Sequence, residues 1–283
     1  MTALLQNTTE WIEMRKTKIG ASDAPVIMGV SPYKTEYQLW EEKLGLRSPN
    51  INQAMQRGTD LEETARKSFE QKTGIIVFPQ VIFHSHYEWM MASLDGMDIE
   101  QKHIVELKCP GKEDHAVALD GEIPEKYYPQ LQHQLEVTGL DMAYYYSFDG
   151  NDGVVLECRR NTKYIQQMVE SEKEFYKCVR DVLPPKLNES RDFDIKEDEF
   201  WSACAIEWLD LQKNLMQYEK RDRELRDMLV SMCRGQNSLG AGVRVSKMVR
   251  KGNIDYSAIP ELQGIDLDRY RKEPIECWRI VRA

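Results

Sequence analysis

The sequence predicts an α/β fold, a central mixed sheet flanked by helices, on three observations. Up to Gly74 the apolar residues follow a helical period, with Leu61, Ala65 and Phe69 forming an i, i+4, i+8 stripe. From Ile75 the pattern is that of strands, in IIVFPQVIFH, WMMASLD and HIVELK. Helical and extended stretches then alternate to Pro184-Pro185, and a chain of 283 residues, 41% of them hydrophobic, is long enough for one sizeable core and a smaller appendage.

Taken in order, residues 8–46 read as mostly helical with a break. After a turn holding Arg15, Lys16 and Lys18 comes GASD, where Ser22 is a candidate N-cap with Asp23 and Pro25 in the turn that follows. A helix runs from about Thr35 through LWEEKLG, and another from about Thr59 to Thr73. The strands after Gly74 form a meander feeding a hairpin, with its turn at Gly96 to Lys102. A helix at about Glu125–Thr138, strands AYYYSFD and GVVLECR, and a helix from Thr162 to Leu183 complete the unit. Tyr144 to Tyr146 should alternate between sheet faces.

Beyond Pro185 an acid-rich linker, NESRDFDIKEDE, marks the best domain boundary. After it Trp201, Cys204, Trp208, Leu211, Leu215, Tyr218, Asp222, Leu225, Leu229 and Met232 recur at 4-3 spacing, the narrow seam of a long helix. GVRVSKMV and IECWRIV read as strands around a short helix near Tyr256–Leu262. Residues 240–283 hold nine Lys/Arg against six Asp/Glu, leaving 29 against 41 in residues 1–239, so the tail is the basic part of a chain of net charge −9. That balance argues against a surface coated with lysine for nucleic acid, yet a divalent-metal site needs carboxylates and a basic groove can be local. Arg244, Lys247, Arg250 and Lys251 are candidates for phosphate contact, or for a guarded strand edge.

No stretch approaches the ~20 apolar residues of a membrane span, and no leader-like signal opens the chain, which reads as cytosolic. The six cysteines include no C-x-x-C, so a zinc ribbon is not expected and reduced thiols are. His84 and His86 share a strand face but lack a third ligand.

Chemistry concentrates in HIVELKCP. Glu-x-Lys also stands at Glu41/Lys43 and Glu100/Lys102, but the first lies in a helical pattern where i and i+2 diverge and the second in the hairpin turn. Strand alternation puts Glu106 and Lys108 on one face and turns Leu107 to the other. Asp95, in SLDG of the preceding strand, is then within reach of Glu106 across the hairpin. Two carboxylates with the Leu107 carbonyl make a hard-oxygen site for Mg²⁺, with Mn²⁺ as substitute. Lys108 beside them would orient water and stabilise charge on a phosphate oxygen, which is phosphodiester hydrolysis.

Four segments in order, W-x-x-x-R-x(6)-S-D from Trp11 to Asp23, RGTDLEETAR from Arg57 to Arg66, SLDG with VELKCP, and YYPQLQHQ from Tyr127 to Gln134, resemble the PD-(D/E)XK nucleases. Within them the likeness is to phage-type exonucleases similar to bacteriophage lambda exonuclease, with their YqaJ-like relatives, over about residues 10–180. The resemblance implies a restriction-endonuclease-like core at 1–185, followed by the linker at 186–200 and a helical and small β extension at 201–283. It makes Asp95 and Glu106 the metal carboxylates and Lys108 the catalytic lysine, and its register selects Glu62 over the chemically equivalent Glu63 as an added acid. Gln132, or else Gln130, would face the site, and Arg15 and Ser22 would bind a 5′-phosphate. The family's Pro-Asp is here Leu94-Asp95, and the tail after Pro185 departs from lambda exonuclease.

What the resemblance implies is a Mg²⁺-dependent 5′-to-3′ exonuclease on double-stranded DNA ends, producing 3′ tails for recombination. A homotrimeric ring, a single-strand annealing protein as partner, and a phage or prophage setting in a bacterial cell go with it. The alternatives are an endonuclease of the same fold, of restriction or repair type, and a non-catalytic DNA-end binding module. A Cas4-like nuclease is disfavoured by the missing cysteine cluster.

Overall fold

The structure, a computed structural model, describes residues 6, 8–48, 53–196, 198–250, 252, 255, 258–262, 265–275, 277 and 279–281. The chain divides into two compact units, residues 1–194 and 195–283.

In the first unit α1 (Thr9–Lys16) starts where the Thr8 side chain accepts from the Trp11 N–H. It leads through β1 (Ile19–Gly20) and a 3-10 turn at Ala21–Asp23 into α2 (Ala24–Ile27). Ser22 therefore lies inside the 3-10 turn, and Asp23, not Ser22, occupies the N-cap position of α2. Its side chain does not cap that helix; it turns back to the Gly20 N–H at 2.9 Å. Next, α3 (Glu36–Lys43) opens with a capping box between Thr35 and Gln38. α4 (Gln53–Thr73) begins before the expected Thr59 and buries Ala65 and Phe69, ending at Gly74 with φ +74°.

The sheet consists of β1, β2 (Val77–Phe83), β3 (Met90–Asp98), β4 (Ile104–Lys108), β5 (Met142–Phe148) and β6 (Gly153–Arg159). β3 pairs antiparallel with β2 along one edge, and on its other edge takes β1 in parallel at one end and β4 antiparallel at the other. β4 runs parallel to β5, and β6 closes the sheet antiparallel to β5. The sheet is thus mixed, as the sequence implies.

One face is covered by α6 (Tyr128–Thr138) and α7 (Thr162–Arg180), whose Leu131, Leu135, Ile165 and Met168 pack with Leu94, Ile104 and Tyr145. The other face is covered by α4, where Phe69 and Ala65 meet Val105, Leu107, Tyr146 and Phe148. Tyr144 to Tyr146 alternate between these faces as expected. α5 (Lys112–Leu119), which the sequence reading missed, follows β4. α7 stops at Arg180, short of Leu183; Pro184 disfavours a helical residue before it, and Val182 takes φ +55°.

The hairpin turn is also narrower than expected. β3 continues through Gly96 to Asp98, and the turn occupies only the residues between Asp98 and Ile104. Gly96 is a strand residue, and the position suits glycine because a Cβ there would lie 2.5 Å from Val77 Cγ2 and 2.8 Å from Val105 Cγ1.

The second unit holds α8 (Glu199–Met232), capped by Asp198, and a hairpin of β7 (Ser238–Gly240) and β8 (Val243–Val245). GVRVSKMV contributes β8, pairing with a β7 the sequence reading did not foresee. The expected strand IECWRIV is absent at its described residues 275, 277 and 279–281, where its side chains stay exposed and no ladder partner is offered. Of the expected short helix the described residues show the 3-10 turn Pro260–Leu262, and Tyr256 lies outside them. No helix among the described residues is long and apolar enough to cross a membrane, and all six cysteines are free.

Candidate active site

The site begins as an irregularity in β3. Phe78 pairs with Met97 but Gln80 pairs with Leu94, so Asp95 and Gly96 together oppose Pro79. This is a β-bulge, with a proline where no ladder donor is required, and bulges re-aim side chains. The β3–β4 ladder holds at Gly96↔Val105 and Met97↔Ile104 and then stops. Just past it, the Leu107 N–H, two residues beyond Val105, donates to the Asp95 carboxylate at 2.9 Å. The two strands therefore part at Asp95 and Glu106, and a carboxylate fills the fork. Asp95 belongs within the strand, not at its close as the sequence implied, and the bulge aims it.

Glu106 is 1% exposed, beneath α6. Gln130 Nε2 donates to its Oε1 at 2.6 Å, Gln134 Nε2 donates to its Oε2, and the Lys108 ammonium also bonds Oε1. The face shared by Glu106 and Lys108 is thus covered by a helix, like the Leu107 face. Gln132 is the correction here. Two residues on from Gln130 it points away from the carboxylates, donating to the Arg159 carbonyl at 2.8 Å and accepting from the Asn161 N–H. On a helix, i and i+4 share a face while i+2 lies nearly opposite, so the Gln130/Gln134 spacing was the signal that would have found the pair.

Two carboxylates share one ammonium, and the electrostatics reflect it. Burial and then the charge of Glu106, with a smaller push from Glu62, raise Asp95 well above the usual carboxylate range, against Lys108 and the Leu107 N–H. Burial alone would depress Lys108, but the charges of Glu106 and Asp95 and the bond to Glu106 hold it above the ordinary lysine value. Lys108 is therefore a cation here, poised to donate.

Glu62, on α4, is held by Arg66 Nη2 at 2.8 Å, and the same guanidinium donates through Nε to the Asp95 carbonyl at 3.2 Å. Among the described residues no three His, Cys, Asp or Glu side chains converge as a metal cluster. The hard-oxygen groups that the strand fork brings near one another are the Asp95 and Glu106 carboxylates, a sparse set that suits a cation keeping several waters.

Arg15 and Ser22 are brought together: Arg15 Nη2 donates to Ser22 Oγ at 2.6 Å, with the guanidinium 4.6 Å from the Trp11 ring centre. Beneath them, and not foreseen, is a buried ion pair. The Lys43 ammonium contacts Asp23 and donates to the carbonyls of Arg15 and Lys18, each at 2.7 Å. Burial would raise Asp23, but Lys43, Arg15 and the Gly20 N–H hold it below the usual range. Burial lowers Lys43 against the pull of Asp23, and its Nζ is met by three acceptors.

A second buried pair joins His133 Nδ1 to Glu172 at 2.7 Å, with Nε2 donating to the Met91 carbonyl at 2.9 Å. His84 does not share a strand face with His86, since β2 ends at Phe83, and its Nδ1 accepts from the N–H groups of His86 and Tyr87. His84 is engaged in these bonds, while His86 lies exposed beyond the strand.

The chain also resembles known proteins in sequence and fold. Residues 10–141 match the YqaJ-like viral recombinase domain. The uncharacterized protein YqaJ of Bacillus subtilis (strain 168) is 33% identical over 174 residues, covering 59% of this chain and 54% of YqaJ. The chain thus spans about half the length of that curated relative. Among solved structures, the alkaline exonuclease LHK-Exo from Laribacter hongkongensis superposes with a TM-score of 0.54 at 27% identity, covering 62% of this chain and 94% of the exonuclease. LHK-Exo in complex with dAMP gives the same TM-score at 26% identity.

Proposed function

We propose that this chain, which carries a YqaJ-like viral recombinase domain at residues 10–141, is a Mg²⁺-dependent deoxyribonuclease, with Mn²⁺ able to substitute. It would degrade one strand of duplex DNA from a 5′-phosphorylated end and leave 3′ single-stranded tails. The observation that carries this reading is the meeting of Asp95 and Glu106 at a strand fork, with Lys108 bonded to Glu106.

The donor set fits a divalent cation. Asp95, Glu106 and the Leu107 carbonyl would hold it, with Glu62 joining through water, and the excess of carboxylate over ammonium is the charge such an ion balances. When bound, it would lower the pKa of a water and so supply the attacking hydroxide. Lys108 donates to the phosphate oxygen on which charge develops. Gln130 and Gln134 keep Glu106 from turning, and α6 excludes bulk solvent from behind it. Arg15 and the Ser22 hydroxyl would take the terminal 5′-phosphate, a charge-assisted contact. A ring of three copies and a single-strand annealing partner rest on the family resemblance alone.

The test is digestion of linear duplex labelled separately at each end, with and without the 5′-phosphate, beside covalently closed circles. Loss beginning at 5′-phosphorylated ends, with circles intact, is the expected result. Linear duplex left whole in Mg²⁺ contradicts the nuclease reading, and cut circles replace exonuclease with endonuclease.

A further inference from the structure

Outward from Lys108 run alternating cations and aromatic rings. The Lys108 ammonium lies 5.3 Å from the Tyr127 ring centre, and Lys126 lies 5.3 Å from the same ring on the way to Tyr33. Tyr127 itself is backed by Tyr145, with ring centres 5.8 Å apart. Tyr33, at the outer end, is 69% exposed.

Tyr33 is exposed but not loose. Lys126 Nζ donates to its hydroxyl at 2.8 Å while lying 5.1 Å from the ring centre. A cation that much farther from the centre than from the hydroxyl sits beyond the oxygen, off the ring edge, so it does not cover a ring face. Lys126 is itself anchored to Asp114 at 2.6 Å. The backbone beside Tyr33 is tied from the opposite direction: Arg191 donates to the carbonyls of Ser31 at 2.9 Å and Pro32 at 3.1 Å, and the Ser31 hydroxyl accepts from the Tyr33 N–H at 3.3 Å. Thr35, just beyond, bonds Asp192 at 2.6 Å.

Both the loop and the hydroxyl are therefore held while most of the residue stays in solvent and Lys126 leaves the ring faces clear. An aromatic residue whose only task was burial would not be left so. Rigid exposed rings beside lysines are how proteins stack unpaired bases along a charged backbone, and prior ordering removes much of the entropy cost of binding.

We infer that Tyr33 is a stacking platform for an unpaired nucleobase of the strand whose backbone is led by Lys126 toward Lys108. This rests on the nuclease reading above and adds a base-binding element to it.

The experiment measures binding of short duplexes with frayed 5′-phosphorylated ends, in chelator so that no cleavage occurs. The terminal unpaired nucleotides carry either bases or abasic sugars. Tyr33→Ala should weaken binding of the base-bearing end by about 5- to 150-fold, the span one base–aromatic stack covers, and leave the abasic end unchanged. Tyr33→Phe, which keeps the ring, should retain most of the affinity, and melting curves confirm that each variant is folded. Equal loss on both ends, or no loss on either, overturns the platform while leaving the nuclease reading intact. A wild-type protein that binds neither end overturns both.

Discussion

Among the described residues, lysine meets buried carboxylate beside Asp23 and again beside Asp95, and the two places are built for opposite ends. At Asp23 one carboxylate meets one ammonium, with a backbone N–H and Arg15 adding to the positive side, and the acid is held below its ordinary range. At Asp95 two carboxylates meet one ammonium, and the acid is pushed well above it. The first arrangement is electrostatically complete and fastens α1, the 3-10 turn and α3 together. The second is incomplete without further positive charge, as expected of a place where a cation or a reacting group belongs.

Asp95→Asn breaks the comparison most strongly. It removes a repulsive charge, so the melting temperature of the metal-free protein should stay level or rise. Losing several kcal/mol of transition-state stabilisation should slow cleavage of 5′-phosphorylated duplex by at least ~10³-fold. Lys43→Met acts the other way. It strands a buried carboxylate and should cost about 3–5 kcal/mol of stability in denaturant unfolding, with cleavage by the folded fraction retained on the chemical step.

Gln130→Ala, which frees one oxygen of Glu106, should lower the rate by about 10- to 100-fold in single-turnover assays. Gln132→Ala, which loses its bonds to Arg159 and Asn161, should change the melting temperature and not the chemical rate.

The smallest effect separates the two acids by pH. A raised folded-state pKa means that the folded protein binds the proton more tightly, so Asp95 should cost stability progressively as pH climbs from the unfolded aspartate value through its raised folded value. Asp23, held low, contributes stability above the unfolded value and loses it as pH falls through the lower folded value. Melting curves of metal-free wild type, Asp95→Asn and Asp23→Asn across pH should show the two slopes disappearing separately, on opposite sides of the ordinary aspartate value.

These distinctions were unequally legible in the sequence. Strand periodicity alone set Glu106/Lys108 apart from the other Glu-x-Lys pairs, because alternation is strict and local. The bulge at Asp95–Gly96 was not readable, since it arises from pairing with Pro79 and from the space Val77 and Val105 leave, both tertiary facts. The pairing of Lys43 with Asp23 was not readable, because the two stand twenty positions apart and meet through the packing of α3 on α1. The helical face of α6 was readable in principle, through Gln130 and Gln134, and Gln132 was the wrong choice. IECWRIV looked like a strand from composition, but a strand needs an edge to pair with.

The most direct test sets Asp95→Asn beside wild type, following cleavage of a 5′-phosphorylated linear duplex in Mg²⁺ in one portion and thermal unfolding in chelator in another. The account predicts an Asp95→Asn protein at least as stable as wild type and cutting at least ~10³-fold more slowly. An Asp95→Asn protein that cuts at the wild-type rate would contradict it.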